Sequence, residues 1–415
     1  MPERSSASSR SAPARVAKSA HGPRPGAWLR LTALFASAAV LLAVVSGAAS
    51  LGAAHRVLAA LALPPLVALV VAAWIAHRRL LVPALGALGL FGVAALVTLP
   101  GLHFALAAVA FAATLVLTVA TYRGEPVPRA SWRDYVTLTK PRIMSLLLVT
   151  GLCAMFVGAG GVPAGWLVVV TMSGLALACG GASALNHVLD RDIDKLMGKR
   201  TRARPVAAER MPPTRALEFG LALSAFSFVL LASLVNVLTA TLALVGNLFY
   251  VLVYTRWLKR STPQNIVIGG AAGAVPPLVG WAAVTGNLTL PALWLFLIVF
   301  FWTPPHFWAL ALLIRRDYEA ARIPMLPVVR GVRETTRQIV LYALVLVAVT
   351  AVPFVWGTLG VVYLVAALAL GAVFLWLALR LRQDTTPRRA AVLFHFSLLY
   401  LALLFVAMAL DPVVG

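Results

Sequence analysis

Acid is what this chain has least of: 13 Asp and Glu among 415 residues, against 35 Lys and Arg. That scarcity excludes an acidic tail and makes each carboxylate beside an apolar run informative, because an unpaired buried charge is costly. The two cysteines, Cys153 and Cys179, both fall in apolar runs, which excludes a disulfide framework and a thiolate metal site. Charge is thin overall, at 12%. With 61% hydrophobic residues and a mean hydropathy of +0.92, the chain is too apolar for a soluble protein of this length.

What is present is a succession of apolar runs, each about twenty residues long, the length a helix needs to cross a bilayer. They predict an all-α polytopic membrane protein with about thirteen transmembrane helices. The formal charge of +22 suggests nucleic acid until its placement is considered. Basic residues gather in the N-terminal stretch and in the segments His77–Arg79, Arg123–Arg142, Arg191–Arg215, Arg256–Arg260, Arg315–Arg337 and Arg380–Arg389. With the N-terminus inside, all of these fall on one membrane face, so the pattern predicts a cytoplasmic N-terminus and an outer C-terminus. Residues 1–27, rich in Ser, Ala, Arg and Pro, are expected to form a disordered basic tail.

Three aspartates, Asp190, Asp192 and Asp194, stand within five positions at the foot of the apolar run from Trp166 to Leu185. On a continuing helix Asn186, Asp190 and Asp194 share a face while Asp192 points elsewhere. Hard oxygens on one face suit Mg²⁺, which takes one or two carboxylates and fills its other positions with water and phosphate. Lys199, Arg200 and Arg204 follow closely and supply cations for diphosphate oxygens. A second acidic group, Asp317 with Glu319 beside Arg316, belongs to the same face and can frame the same site. Upstream, Phe301–Trp308 carries His306 behind the paired prolines Pro304 and Pro305, which are expected to break the helix around the imidazole. The ordinary reading of such a histidine is a hydrogen-bonded core residue.

Thr139–Arg142, the Asn186–Asp194 cluster with Arg200-Thr201 and Arg204-Pro205, Tyr254–Gly270, Gly273–Trp281, Trp302–Phe307 and Ile323–Pro327 together resemble the haem-directed farnesyltransferases of the UbiA-type intramembrane prenyltransferases. The resemblance runs from about residue 131 to the C-terminus. It implies a nine-helix prenyltransferase domain over 131–415 that moves farnesyl from farnesyl diphosphate to the 2-vinyl group of haem b, with Mg²⁺ as cofactor, in the cell inner membrane. It also implies that Asn186, Asp190, Asp194 and Asp317 hold the metal. Lys140 and Arg142 would join the catalytic set, Lys199, Arg200, Arg204 and Arg316 would bind diphosphate, and His306 would bind the substrate haem. The chain departs from the family at three places: Ala321 replaces a later acid, Arg322 stands where glycine is expected, and the spacing across Met197–Arg200 is one residue longer.

Residues 28–124 predict a four-helix module ahead of that domain. His55 and His103, at the starts of two of its helices, resemble the haem-binding positions in one half of haem A synthase, and that enzyme is the expected partner. Two other classes are weighed: a UbiA-type enzyme with another aromatic acceptor, and a transporter, for which no internal repeat is evident.

Overall fold

The computed structural model describes residues 27–48, 53–76, 78–97, 100–121 and 130–414, and every regular element among them is helical. The tail expected over 1–27 lies outside the described residues except for Ala27, which opens the first helix. The four-helix stretch that follows holds α1 (Ala27–Ala48), α2 (Ala53–Ala76), α3 (Leu81–Leu96) and α4 (Pro100–Thr121). A short α5 (Trp132–Thr139) follows, then α6 (Pro141–Ala159), α7 (Gly165–Leu189), α8 (Arg191–Leu196) and α9 (Lys199–Arg202). Next come α10 (Pro213–Leu234) and α11 (Val237–Leu248), which runs through a π-helical stretch, Phe249–Leu258, into α12 (Lys259–Ser261). The chain ends with α13 (Asn265–Thr285), α14 (Leu290–Leu313), α15 (Arg315–Ala320), α16 (Leu326–Val329), α17 (Gly331–Val355), α18 (Val361–Gln383) and α19 (Pro387–Val414).

Eleven of the described helices are long and apolar enough to span a membrane, which makes this a multi-pass membrane protein. The other two expected spans fall on α3 and α4, whose apolar stretches Leu81–Leu96 and Leu106–Thr121 are shorter. The exposed surface carries large apolar side chains such as Trp74, Ile75, Val169 and Val362, as a lipid-facing surface should.

Helix limits follow from local chemistry. Ser131 and Asp134 form a reciprocal capping box that starts α5, and Gly160 and Gly286 close α6 and α13 in the left-handed conformation. The expected break at Pro304-Pro305 is absent, since α14 runs unbroken through both prolines. Each proline deletes only one backbone bond, and the packing of α13, α17 and α19 around α14 holds the segment helical. The same holds at Pro276-Pro277 in α13.

From α6 onward the long helices form a closed bundle, because the last, α19, packs against the first, α6. Glycine sets the tightest crossing: a Cβ on Gly280 of α13 would collide with the Gly151 carbonyl of α6. At one end of the bundle, Ile193 and Met197 beside α8 share a core with Tyr318, Ala321 and Ile323 beside α15. The two acid-bearing loops meet there, where Gly198 lies against the Asp317 carboxylate. Helices α1 to α4 have their own core, and α4 docks onto α10, where Ala108 packs with Leu175, Phe228 and Leu231.

Candidate active site

The last turn of α7 carries Asn186, and Asp190 closes that helix with its N–H still donating to the Asn186 carbonyl at 2.9 Å. The helical hydrogen bonding resumes when the Asp194 N–H donates to the Asp190 carbonyl at 2.8 Å. Asn186, Asp190 and Asp194 are 3%, 0% and 1% exposed, whereas Asp192 faces out and takes two bonds from the Arg260 guanidinium, both at 2.7 Å. That pairing holds the Asp192 carboxyl down at about 2.

All but one of the cluster's buried side-chain oxygens meet a cation or an amide. Lys140 Nζ donates to Asn186 Oδ1 at 2.8 Å, and Asn186 Nδ2 donates to Asp190 Oδ2 at 2.8 Å and to Thr255 Oγ1 at 3.1 Å. Lys259 Nζ donates to the same Asp190 oxygen at 2.5 Å. Arg204 Nη1 bridges both oxygens of Asp194, at 2.8 and 2.9 Å. Three cations thus surround two carboxylates, an excess of positive charge suited to an anionic ligand. Burial, and then the Arg204 charge, pull the Lys140 ammonium down to about 7, so the site holds a lysine ready to gain an anionic partner. Burial pushes the Asp194 carboxyl up, against the pull of Arg204. Lys140 occupies the left-handed region at φ 50°, an uncommon place for a side-chain-bearing residue, where it ends α5 and begins α6.

Two observations fit the cluster to a divalent cation. Asp190 Oδ1 is buried without any hydrogen-bond partner, the position of an unused hard ligand. A Cβ on Gly198 would collide with the Asp317 carboxylate, so glycine makes the space in which the second loop's acid approaches the first. Among the described residues no three His, Cys, Asp or Glu side chains converge on one point. Phosphate oxygens and water would then complete the coordination shell.

The structure gathers Lys140, Asn186, Asp190, Asp194 and Arg204, and sets Asp317 against Gly198. Arg142, Lys199, Arg200 and Arg316 are exposed, with no ion pair among the described residues. Lys259 and Thr255 were missed in the sequence. Their signal was a lysine one turn past a threonine at the end of an apolar run, and the π-helical stretch aims both at the foot of α7. His306 is buried in α14 between aromatic rings. His55 and His103 meet at one end of α2 and α4, with ring centroids 5.6 Å apart. Each places Nδ1 against a backbone carbonyl, that of Ala43 at 3.1 Å and that of Ala94 at 2.6 Å.

The profile of the UbiA prenyltransferase family matches residues 147–405, which include Asn186, Asp190, Asp194, Arg204, Thr255 and Lys259. The chain belongs to this family. Among its relatives, the protoheme IX farnesyltransferase of Roseiflexus sp. (strain RS-1) is 46% identical over 414 residues, covering 90% of this chain and 77% of its own. That of Symbiobacterium thermophilum is 57% identical over 281 residues, covering 67% of this chain and 94% of its own. A UbiA-type enzyme can therefore be nearly whole within two thirds of this sequence. The solved structure of a digeranylgeranylglyceryl phosphate synthase shares the fold, with a TM-score of 0.57 at 16% identity over 68% of this chain and 98% of that one.

Proposed function

We propose that this protein transfers the farnesyl group of farnesyl diphosphate to the 2-vinyl group of haem b, with addition of water, giving haem O and diphosphate. The observation that carries the chemistry is the buried Asn186–Asp190 pair, held by Lys140 and Lys259 beside the Arg204–Asp194 pair and left with one unused carboxylate oxygen. The relatives' shared name supports haem as acceptor.

Asp190 and Asp194 would hold Mg²⁺, with Asn186 orienting the set and Asp317 reaching in from the second loop. Once bound, the ion supplies a Lewis acid for the diphosphate oxygens. The chain's own cations do the rest. Lys140, Lys259 and Arg204 line the cluster, and the exposed Arg142 at the start of α6, Lys199 and Arg200 on α9 and Arg316 on α15 would reach a bound diphosphate. They stabilise negative charge as the C1–O bond ionises and diphosphate departs. The vinyl π electrons then attack C1 of the allylic cation, and water captures the new cation on the porphyrin side and loses a proton. Apolar helix faces keep water from the first cation until that attack. His306 binds the haem.

The division is a tail at 1–27, a four-helix module at 28–124 and the prenyltransferase domain at 131–415. In this reading the module binds haem through His55 and His103 and passes product toward haem A synthase. The basic segments support a cytoplasmic N-terminus and cytoplasmic catalytic loops, with the C-terminus outside, in the cell inner membrane. Membranes supplied with haem b, farnesyl diphosphate and Mg²⁺ should yield haem O by mass spectrometry. A prenylated quinone and no haem O would overturn the acceptor.

A further inference from the structure

His306 sits in a box that the sequence hid. Its ring lies between Trp302, with centroids 4.3 Å apart and planes 17° apart, and Phe394, at 4.8 Å and 22°, while Phe307 meets it edge-on at 5.1 Å. Its Nδ1 is 2.6 Å from Ser397 Oγ. Ser397 Oγ is also 2.6 Å from the Phe394 carbonyl, which can only accept, so the one hydroxyl proton is committed there. The serine oxygen then has only lone pairs to offer the imidazole, and Nδ1 must carry the hydrogen. Trp302 Nε1 donates to the Ser397 carbonyl at 2.8 Å and ties that turn of α19 to α14. A neutral imidazole has one N–H, so Nε2 keeps its lone pair, in a direction the flanking rings fix.

We propose that Ser397 is a positioning residue that holds His306 in the Nδ1–H tautomer, so that Nε2 is the axial ligand to the iron of substrate haem b. This rests on the reading of His306 as the haem-binding residue. Iron bound at Nε2 sets the porphyrin plane across the clamped ring, and that orientation decides which vinyl group faces the farnesyl cation. The bond at Nδ1 also makes Nε2 a stronger donor, the way an outer hydrogen bond tunes a metal-bound histidine.

The test uses the full chain in lipid nanodiscs, with His55→Ala and His103→Ala so that the module's histidines do not contribute. Ferrous haem b is titrated while the Soret band and the iron–histidine stretch are recorded. The expected result is a histidine-ligated spectrum, an affinity loss of about tenfold or more in Ser397→Ala with a lowered iron–histidine stretch, and recovery in Ser397→Thr. Farnesyl diphosphate binding should be unchanged throughout. Wild-type affinity and stretch in Ser397→Ala, with both lost in His306→Ala, would overturn the role of Ser397 alone. Both retained in His306→Ala would overturn the underlying reading as well. Should the alanine variant not fold, Ser397→Thr and its isostere Ser397→Val give the same comparison, and equal affinity in the two overturns the proposal.

Discussion

Lys259 Nζ lies 2.5 Å from Asp190 Oδ2, both side chains are buried, and the other oxygen of the same carboxylate has no partner. One cation therefore neutralises the acid while leaving it half available. Removing one partner of a buried pair strands the other, at a cost of about 3–5 kcal/mol. Lys259→Met should lower the melting temperature in metal-free buffer, and Mg²⁺ with diphosphate should restore more of it than the same ligands add to the wild type. An equal rise in both proteins would mean that Asp190 is not the metal's ligand.

Asp190→Ala and Asp194→Ala should each lower haem O formation by on the order of 100-fold or more, since each removes a ligand of the metal that stabilises the departing diphosphate. Asp192→Ala should stay near wild type. Its partner Arg260 is on the surface side, and an exposed pair contributes about 1 kcal/mol or less. The Asp192 carboxyl is depressed to about 2, so its contribution is full above the ordinary carboxylate range and vanishes only as pH falls through 2. The pH–rate profile should therefore carry no inflection from it. Equal partial losses at all three aspartates would defeat the division between buried and exposed faces.

The carboxylate cluster was legible because its three parts lie within nine residues, where helical periodicity alone assigns faces. Lys259 was not, because only the π-helical stretch and the crossing of two helices bring it to a residue 69 positions away. Ser397 stands 91 positions from His306 and contributes an ordinary serine in an apolar run. The prolines misled for a related reason: local chemistry argues for a break at Pro304, and the neighbouring helices override it. Glycine at 322 was the expectation, and the backbone explains it. Arg322 adopts φ 54°, so the arginine occupies a conformation suited to glycine.

Arg322→Gly should accordingly stabilise the protein. Relief of the left-handed strain contributes about 1–2 kcal/mol, and the added freedom of glycine in the unfolded chain takes back roughly 0.4–1. The Arg322 side chain is exposed, so little packing is lost. Thermal unfolding should shift upward by a few degrees, and a downward shift would show that Arg322 makes a contact worth more than its strain.

Gly198→Ala should impair turnover while the protein still folds, because the added methyl pushes the Asp317 carboxylate away from the first loop. Asp317→Ala should be at least as severe, and Glu319→Ala, an exposed position, milder. A Gly198→Ala enzyme with normal turnover, beside an inactive Asp317→Ala, would mean that Asp317 works away from the cluster.

The four N-terminal helices should be separable from the chemistry. Deleting residues 1–124 removes an even number of helices, so the basic loops of the remainder keep their side of the membrane. The cut uncovers the face of α10 against which α4 rests, near Leu175 and Phe228, and lipid can cover that apolar face at little hydrophobic cost. Farnesyl transfer should therefore persist, while melting in detergent should fall because helix packing has been lost. If His55 and His103 bind haem, the full-length protein should show a low-spin b-type component that His55→Ala or His103→Ala removes without abolishing haem O formation. A truncated enzyme that inserts and binds farnesyl diphosphate yet makes no haem O would instead place the module in the catalytic cycle, with α4 and α10 as the path by which it acts.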